Sequence, residues 1–175
     1  MLLRITWRRA CAVALLVLVG IVGTVEAEFL STQRGTLKGL KGARVVVGDL
    51  PREAEAEGLT KDRIKTGVVL WLQLQGFPVL ATEKGKDSTL TPILLVHIHI
   101  PRHDLNAGGV APYSRRLSLR QVVLLRTGDS AFVTTWSTSV TGTTSKGKLS
   151  ELQRGVTRDL NWFLKDYVEA NRKRR

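Results

Sequence analysis

The feature that most restricts the fold is a continuous apolar stripe near the carboxyl end of the chain. The stripe consists of Leu152, Val156, Leu160, Phe163 and Tyr167, which recur at helical spacing among mainly polar neighbours. A helix with one apolar face has to bury that face against another layer of structure. The stripe therefore predicts a packing face, and the rest of the chain has to supply the layer that covers it.

That layer is expected to be a sheet, because the preceding segments show strand patterns. Strands are predicted over residues 43–47, 77–82, 91–100, 113–126 and 131–140, with the clearest alternation in residues 91–100. A helix is predicted from Thr60, which suits an amino-terminal cap, to Gln75, because Gly76 suits a left-handed stop. Ser150, with Gln153 three residues on, fits a capping box for the last helix.

The resulting element order is β-α-β-β-β-β-α, which predicts the α+β class. We expect a two-layer sandwich in which two helices cover a mixed, mostly antiparallel sheet of about five strands. The first strand–helix–strand unit is expected to place its two strands in parallel, and the later strands to form a hairpin meander. Residues 127–130 predict the hairpin turn.

The first 27 residues have the three-part layout of an export signal. Arg4, Arg8 and Arg9 precede an apolar run over residues 10–25, and small residues surround a cleavage position after Ala27. The run is shorter than the ~20 residues that cross a bilayer as a helix, so cleavage is favoured over an uncleaved anchor, which stays the alternative. Because positive charge keeps the amino end in the cytoplasm, the remaining chain is expected to be periplasmic or secreted.

Removal of this signal also removes Cys11, the single cysteine of the chain. The exported chain would then have no disulfide, no thiolate catalyst and no cysteine metal site. Cys11 lies at the start of the apolar run, whereas a lipoprotein cysteine follows the run, so it is not expected to accept a lipid. The predicted organisation is a signal peptide over residues 1–27, a flexible lead-in over 28–42, one α+β domain over 43–170 and a basic tail over 171–175.

The exported chain is strongly basic. The net charge of +12 falls to +10 without residues 1–27, because these hold three arginines and Glu26. A protein of this charge is drawn to anionic surfaces. We expect a protein partner in the cell envelope, with an anionic membrane surface or other anionic envelope components as the alternative, and no nucleic acid, which an exported protein rarely meets.

The three histidines form the best candidate for chemistry. His97 and His99 fall on one face of a predicted strand, a spacing that offers two imidazoles to one metal. His103 follows as a third candidate ligand, and Asp104 is a candidate to orient one of the three histidines. The same spacing also suits polar residues on the solvent face of a half-buried strand, and short motifs often match by chance. We therefore assign no catalytic, cofactor or metal residue, and keep a metal-binding or metal-dependent protein as the alternative.

Two further segments have weaker signals. Residues 141–148 combine hydroxyl groups with two lysines before a predicted helix start, where an anion would be favoured, but the sequence is not a Walker motif and a solvated loop is expected. Trp136 lies among hydroxyl-bearing residues and suits either a sugar site or, as we expect, burial under a helix. No serine lies in a nucleophile elbow, so a non-enzymatic protein is favoured.

Four short stretches carry a resemblance to known proteins. They are residues 44–51 (RVVVGDLP), 58–60 (GLT), 76–80 (GFPVL) and 134–138 (TTWST). On these stretches the chain resembles small exported bacterial proteins of unknown function over most of residues 43–170. The predicted element order is similar to the amino-terminal domain of the Tol translocation protein and to transport-auxiliary lipoproteins. The resemblance implies an envelope accessory or binding protein, although the chain lacks the lipid-acceptor cysteine of the lipoproteins.

Overall fold

One mixed sheet of four strands forms the centre of the protein. The computed structural model describes residues 32–81, 90–101 and 110–172. The strands lie in the order β1-β2-β3-β4, with β1 parallel to β2 and the other neighbours antiparallel. Their bounds are Arg44–Val47 for β1, Ile93–His99 for β2, Val110–Leu124 for β3 and Ser130–Ser145 for β4. The predicted meander of the later strands is confirmed.

The helices named here are α1 (Arg52–Ala56), α2 (Lys61–Leu74) and α3 (Glu151–Asn171), and a 3-10 turn over Lys146–Lys148 leads into α3. The predicted cap of α2 is confirmed, because the Thr60 hydroxyl accepts a hydrogen bond from the Arg63 N–H at 3.3 Å. Gly76 has a φ of 73°, the left-handed conformation expected after a helix. The predicted capping box is wrong: Ser150 already has helical dihedral angles, whereas a capping residue needs an extended backbone.

The helices cover one face of the sheet, so the two-layer α+β architecture is confirmed. The apolar stripe of α3 packs into the core, where Leu160 and Phe163 are fully buried. The Phe163 ring contacts Phe77 and Trp136, each edge-on with centroids 5.2 Å apart. From the sheet, the buried apolar positions are Val45 on β1, Leu94, Val96 and Ile98 on β2, Ala111, Leu117 and Leu119 on β3, and Trp136 on β4.

Two details of the predicted element order differ from the structure. In place of a second strand over residues 77–82, the chain makes one parallel bridge between Val79 and Ala43, and the sheet has four strands rather than five. Pro78 lacks an N–H, and Phe77 turns into the core, so little backbone is left to extend the ladder. The parallel direction of this contact agrees with the predicted crossover. The short helix α1 and a helical turn over residues 32–35 add to the two predicted helices.

Residues 32–42 form an amino-terminal segment that packs against β4 and α3. This stretch was expected to belong to a flexible lead-in. Its Leu37 side chain is fully buried, and the Leu37 carbonyl accepts a hydrogen bond from the Asn171 side chain at 3.0 Å. The Thr36 hydroxyl donates to the Thr135 carbonyl at 3.1 Å. Two buried leucines, Leu37 and Leu40, and these polar contacts join the segment to the domain.

The export signal, residues 1–27, lies outside the described residues. Among the described residues, no helix combines the length and the apolar character needed to cross a bilayer.

Candidate functional site

The histidine cluster is only partly described. His97 and His99 are exposed on the sheet face that points away from the helices, on one face as predicted. His103 and Asp104 lie outside the described residues. In the described ranges, no group of three or more His, Cys, Asp or Glu side chains is close enough to hold a metal ion. The described part of the cluster therefore amounts to two exposed imidazoles.

The surroundings of His97 explain one glycine of the sequence. A Cβ atom at Gly48 would lie 2.7 Å from Nδ1 of His97, so this ring passes directly over the end of β1. The neighbouring Asp49 accepts a hydrogen bond from Nζ of Lys61 at 2.6 Å. This hydrogen bond and the lysine charge lower the pKa of Asp49, and His97 contributes in the same direction. Because the Asp49 side chain is exposed, this is a surface contact.

Trp136 is a packing residue, as expected. Its side chain is 3% exposed, and its Nε1 donates to Oδ2 of Asp166 at 2.9 Å. The ring is held by Phe163 from the helix layer. A sugar has no access to a ring face buried in this way, so the sugar-binding alternative for Trp136 is wrong.

Residues 141–148 were expected to form a loop, but the first part of this stretch belongs to strand β4. β4 continues to Ser145, five residues beyond its predicted end at Val140. Gly142 was interpreted as a loop residue, yet a Cβ there would lie 2.9 Å from the Tyr113 hydroxyl, so this glycine makes room for an aromatic ring on β3. The alternating threonines were the available strand signal, and the two glycines obscured it.

This extension gives β4 a long outer edge. Within the described residues, β3 is the only strand that pairs with β4. The amino-terminal segment covers part of the other side, because Gln33 accepts a hydrogen bond from the Ser137 N–H at 3.0 Å and Thr36 bonds Thr135. Since the Ser137 N–H points away from β3, the alternation of antiparallel strands directs the N–H groups of Ser139, Thr141 and Thr143 the same way. We call residues 138–145 the free edge.

An arginine-lined cavity lies beside the free edge, between the helix-side face of β4 and the first half of α3. Its volume is about 390 Å³. The charged side chains that line it are Arg115, Arg154, Arg158 and Glu151, and Thr143 and Thr144 reach it from β4. We call this space the arginine cavity. Positive groups outnumber negative ones in its lining.

Arg115 is the buried member of this lining. Its side chain is 5% exposed and that of Asp159 on α3 is 1% exposed. Arg115 donates from Nε to Oδ2 of Asp159 at 2.5 Å and from Nη2 to Oδ1 at 3.1 Å. Burial by itself lowers the pKa of Arg115, but the hydrogen bond and the charge of Asp159 outweigh it, so the pKa lies above its usual value. The guanidinium is charged at neutral pH.

Gly155 gives the guanidinium its place against α3. A Cβ atom at this position would overlap Nη1 and Cζ of Arg115. A glycine inside a helix costs about 1 kcal/mol relative to alanine. The helix thus contains an unfavourable residue where the side chain of Arg115 needs space.

Sequence reasoning missed this pair, although both members left a signal. Asp159 falls three residues after Val156 and four before Phe163, so a carboxylate interrupts the apolar stripe. Arg115 alternates with the apolar positions Leu117 and Leu119 of its strand. A charge on each of two apolar faces indicates a buried pair, because a single buried charge would be too unfavourable.

A second cavity, of about 490 Å³, lies near the carboxyl ends of α2 and α3. Its lining includes Gln75, Asn161, Tyr167 and Arg172. Gln75, Asn161 and Arg172 are exposed, and Tyr167 is part of the helix packing. This cavity contains no buried charged group, so we place the candidate site at the free edge and the arginine cavity.

Comparison of the chain with known protein families and with curated proteins yields no match. The functional argument therefore depends on the geometry of the free edge and of the arginine cavity.

Proposed function

We propose that this chain is an exported, non-enzymatic envelope accessory protein that binds an extended segment of a partner protein along the free edge of β4. The observation that carries the proposal is the composition of this edge. β4 has 16 residues and contains neither a charged residue nor a proline. Strand addition to such an edge forms main-chain hydrogen bonds and is a common mode of peptide recognition.

Natural proteins protect their sheet edges, and β4 shows protection in one half. The register shifts between Leu119 and Arg120, which leaves Thr135 as the extra residue of a bulge on β4, and the amino-terminal segment contacts Thr135 and Ser137. Bulges and covering segments are two of the usual devices, and charged residues and proline are two others. The free edge has no charge or proline of its own. Its outward N–H and C=O groups therefore offer a template for another strand.

The setting of the proposal comes from the sequence. The signal layout of residues 1–27 supports export, and the resemblance to small exported proteins and the similarity in element order to envelope accessory domains support a partner in the cell envelope. The lack of a nucleophile elbow and of a Walker motif supports a binding role over catalysis.

Site-specific photocrosslinking from β4 tests the proposal. A photoreactive residue at Thr141 of the full exported chain is expected to form an adduct with one partner protein, and the same residue at Arg126, in the hairpin turn, is expected to form none. Ser139→Pro should abolish the adduct, because proline removes an N–H directed away from β3 and is tolerated at such edge positions. Ser139→Val, which keeps the N–H, should retain it.

Thermal unfolding shows whether both Ser139 variants are folded. An adduct that survives Ser139→Pro, or that forms equally well from Arg126, would contradict strand addition at the free edge.

A further inference from the structure

We infer that the bound partner segment is acidic and that one of its carboxylates occupies the arginine cavity. This inference rests on the proposed function, because it takes the free edge as the place where the segment lies. It names the chemistry that selects the partner, which main-chain hydrogen bonds alone do not do.

The first argument is the position of the cavity relative to an added strand. Val140, Gly142 and Thr144 pair with Arg115, Tyr113 and Ala111, so they share the helix-side face of the sheet. A strand added beyond β4 would lie about 4.8 Å away and would direct every second side chain to this same face. The arginine cavity is lined by Val140 and Thr144 on that side. An alternate side chain of the partner would therefore meet the cavity.

The second argument is the charge of the lining. Asp159 balances Arg115, and Glu151 lies 3.3 Å from Nη2 of Arg154. With these two pairs each neutral, Arg158 gives the lining of the cavity one excess positive charge. The Arg154–Glu151 pair is exposed, with 79% of the arginine and 54% of the glutamate side chain accessible, so it is weak and easily rearranged. A guanidinium binds a carboxylate through two parallel hydrogen bonds.

The third argument is that the buried pair of Arg115 and Asp159, together with the adjacent Gly155, does not favour the stability of the fold. Asp159 engages Nε and Nη2 of Arg115, and Gly155 leaves space beside Nη1. A buried ion pair is often no more stabilising than apolar residues of similar size, and a helix glycine is destabilising. Apolar residues at these positions would pack the two layers at least as well. The arrangement fixes the position of one guanidinium, paired with Asp159, at the floor of the cavity.

Calorimetric titration of the full exported chain with defined peptides tests the inference. The probes are a short peptide that alternates valine with glutamate, the same peptide with glutamine, inorganic phosphate, and vesicles containing phosphatidylglycerol. We expect the glutamate peptide to bind about tenfold more tightly than the glutamine peptide, a difference typical of one charged contact. Arg154→Gln/Arg158→Gln should remove this difference, and Lys65→Gln/Arg126→Gln, which changes the net charge equally on exposed residues elsewhere, should keep it.

The outcomes separate the inference from the function on which it rests. Equal binding of both peptides, abolished by Ser139→Pro, would overturn the acidic partner and leave strand addition standing. Binding of neither peptide would overturn both. A glutamate preference that persists in Ser139→Pro and that phosphate abolishes by competition would identify a pocket for free anions. If Arg154→Gln/Arg158→Gln lost binding to the vesicles but not to the peptides, the arginines would instead form a membrane-binding surface. Either result would contradict the inference.

Discussion

Arg115 and Asp159 place two charges in the buried layer between β3 and α3. Each charge is tolerated only because the other is in hydrogen-bonding contact with it. Such a pair is costly to break and of little net benefit to stability when intact. The effect of the Arg115–Asp159 pair is to hold one guanidinium in a single position beside the free edge. An apolar pair at the same two positions would place no charged group there.

Asp159→Ala leaves the guanidinium of Arg115 buried without its carboxylate. We expect a loss of about 3–5 kcal/mol in the free energy of unfolding, measured by urea denaturation. The double variant Arg115→Met/Asp159→Leu removes both charges and is expected to recover most of that loss. A loss below about 1 kcal/mol for Asp159→Ala would show that the pair is more hydrated than its burial indicates.

Gly155→Ala tests the space reserved for Arg115. Alanine normally stabilises a helix interior by up to about 1 kcal/mol, but here its Cβ would overlap the guanidinium, and we expect destabilisation by about 1–3 kcal/mol. Gly67→Ala on α2 is the matched control. Its Cβ would meet only the flexible end of Gln153, at 3.1 Å, so it should be neutral or stabilising. Thermal unfolding of both variants decides the question, and similar melting temperatures would contradict the reserved space.

At the scale of the element, the amino-terminal segment determines how much of β4 stays open. Its side chains reach the backbone of Thr135 and Ser137, and Leu37 enters the core beneath α3. The two halves of β4 share a lack of charged residues. They differ in the contact with the amino-terminal segment and in the bulge, which both lie in the first half. Among residues 32–42, the contacts with β4 reach as far as Ser137, and the free edge begins at the next residue.

Leu37→Ala measures how firmly the segment is joined to the domain. Because Leu37 is fully buried, we expect a loss of about 2–5 kcal/mol in the free energy of unfolding. Leu74→Ala serves as the control, because Leu74 is 77% exposed on α2 and should change stability by no more than about 0.5 kcal/mol. If urea denaturation showed the same small loss of stability for Leu37→Ala as for Leu74→Ala, the segment would contribute nothing to the folded state.

At the scale of the whole molecule, the predicted export and the net charge set the conditions for the proposed binding. A chain with a charge of +10 after loss of residues 1–27 is attracted over a distance to any acidic partner, and salt weakens that attraction. Such long-range attraction raises association rates, whereas in our proposal the position of the partner segment depends on the short-range contacts of β4 and the arginine cavity.

Export predicts a defined amino terminus. When the chain is produced in a bacterium with a secretory pathway, the protein recovered outside the cytoplasm is expected to begin at Glu28 and to contain no cysteine. Intact-mass measurement checks both statements, and Ala27→Leu, which removes the small residue at the cleavage position, should block processing. A mature mass that still includes residues 1–27 would favour the uncleaved anchor.

The sequence by itself determined the local elements of this protein. The spacing of Leu152 to Tyr167 predicts α3, Thr60 and Gly76 predict the two ends of α2, and the alternation after Thr91 predicts the buried face of β2. These predictions succeed because periods of 3.6 and 2 residues are properties of a short stretch of chain and of the single layer against which it packs.

Tertiary structure decided what depends on residues far apart in the chain. Arg115 and Asp159 are separated by 44 positions; each interrupts an apolar pattern, but the local pattern does not name the residue with which it pairs. Likewise, β1 pairs with β2 rather than with residues 77–82, and the amino-terminal segment contacts β4 from about 100 positions away. Strand neighbours, buried charge pairs and free edges arise from competition among distant segments for one core, and a local pattern does not record the outcome of that competition.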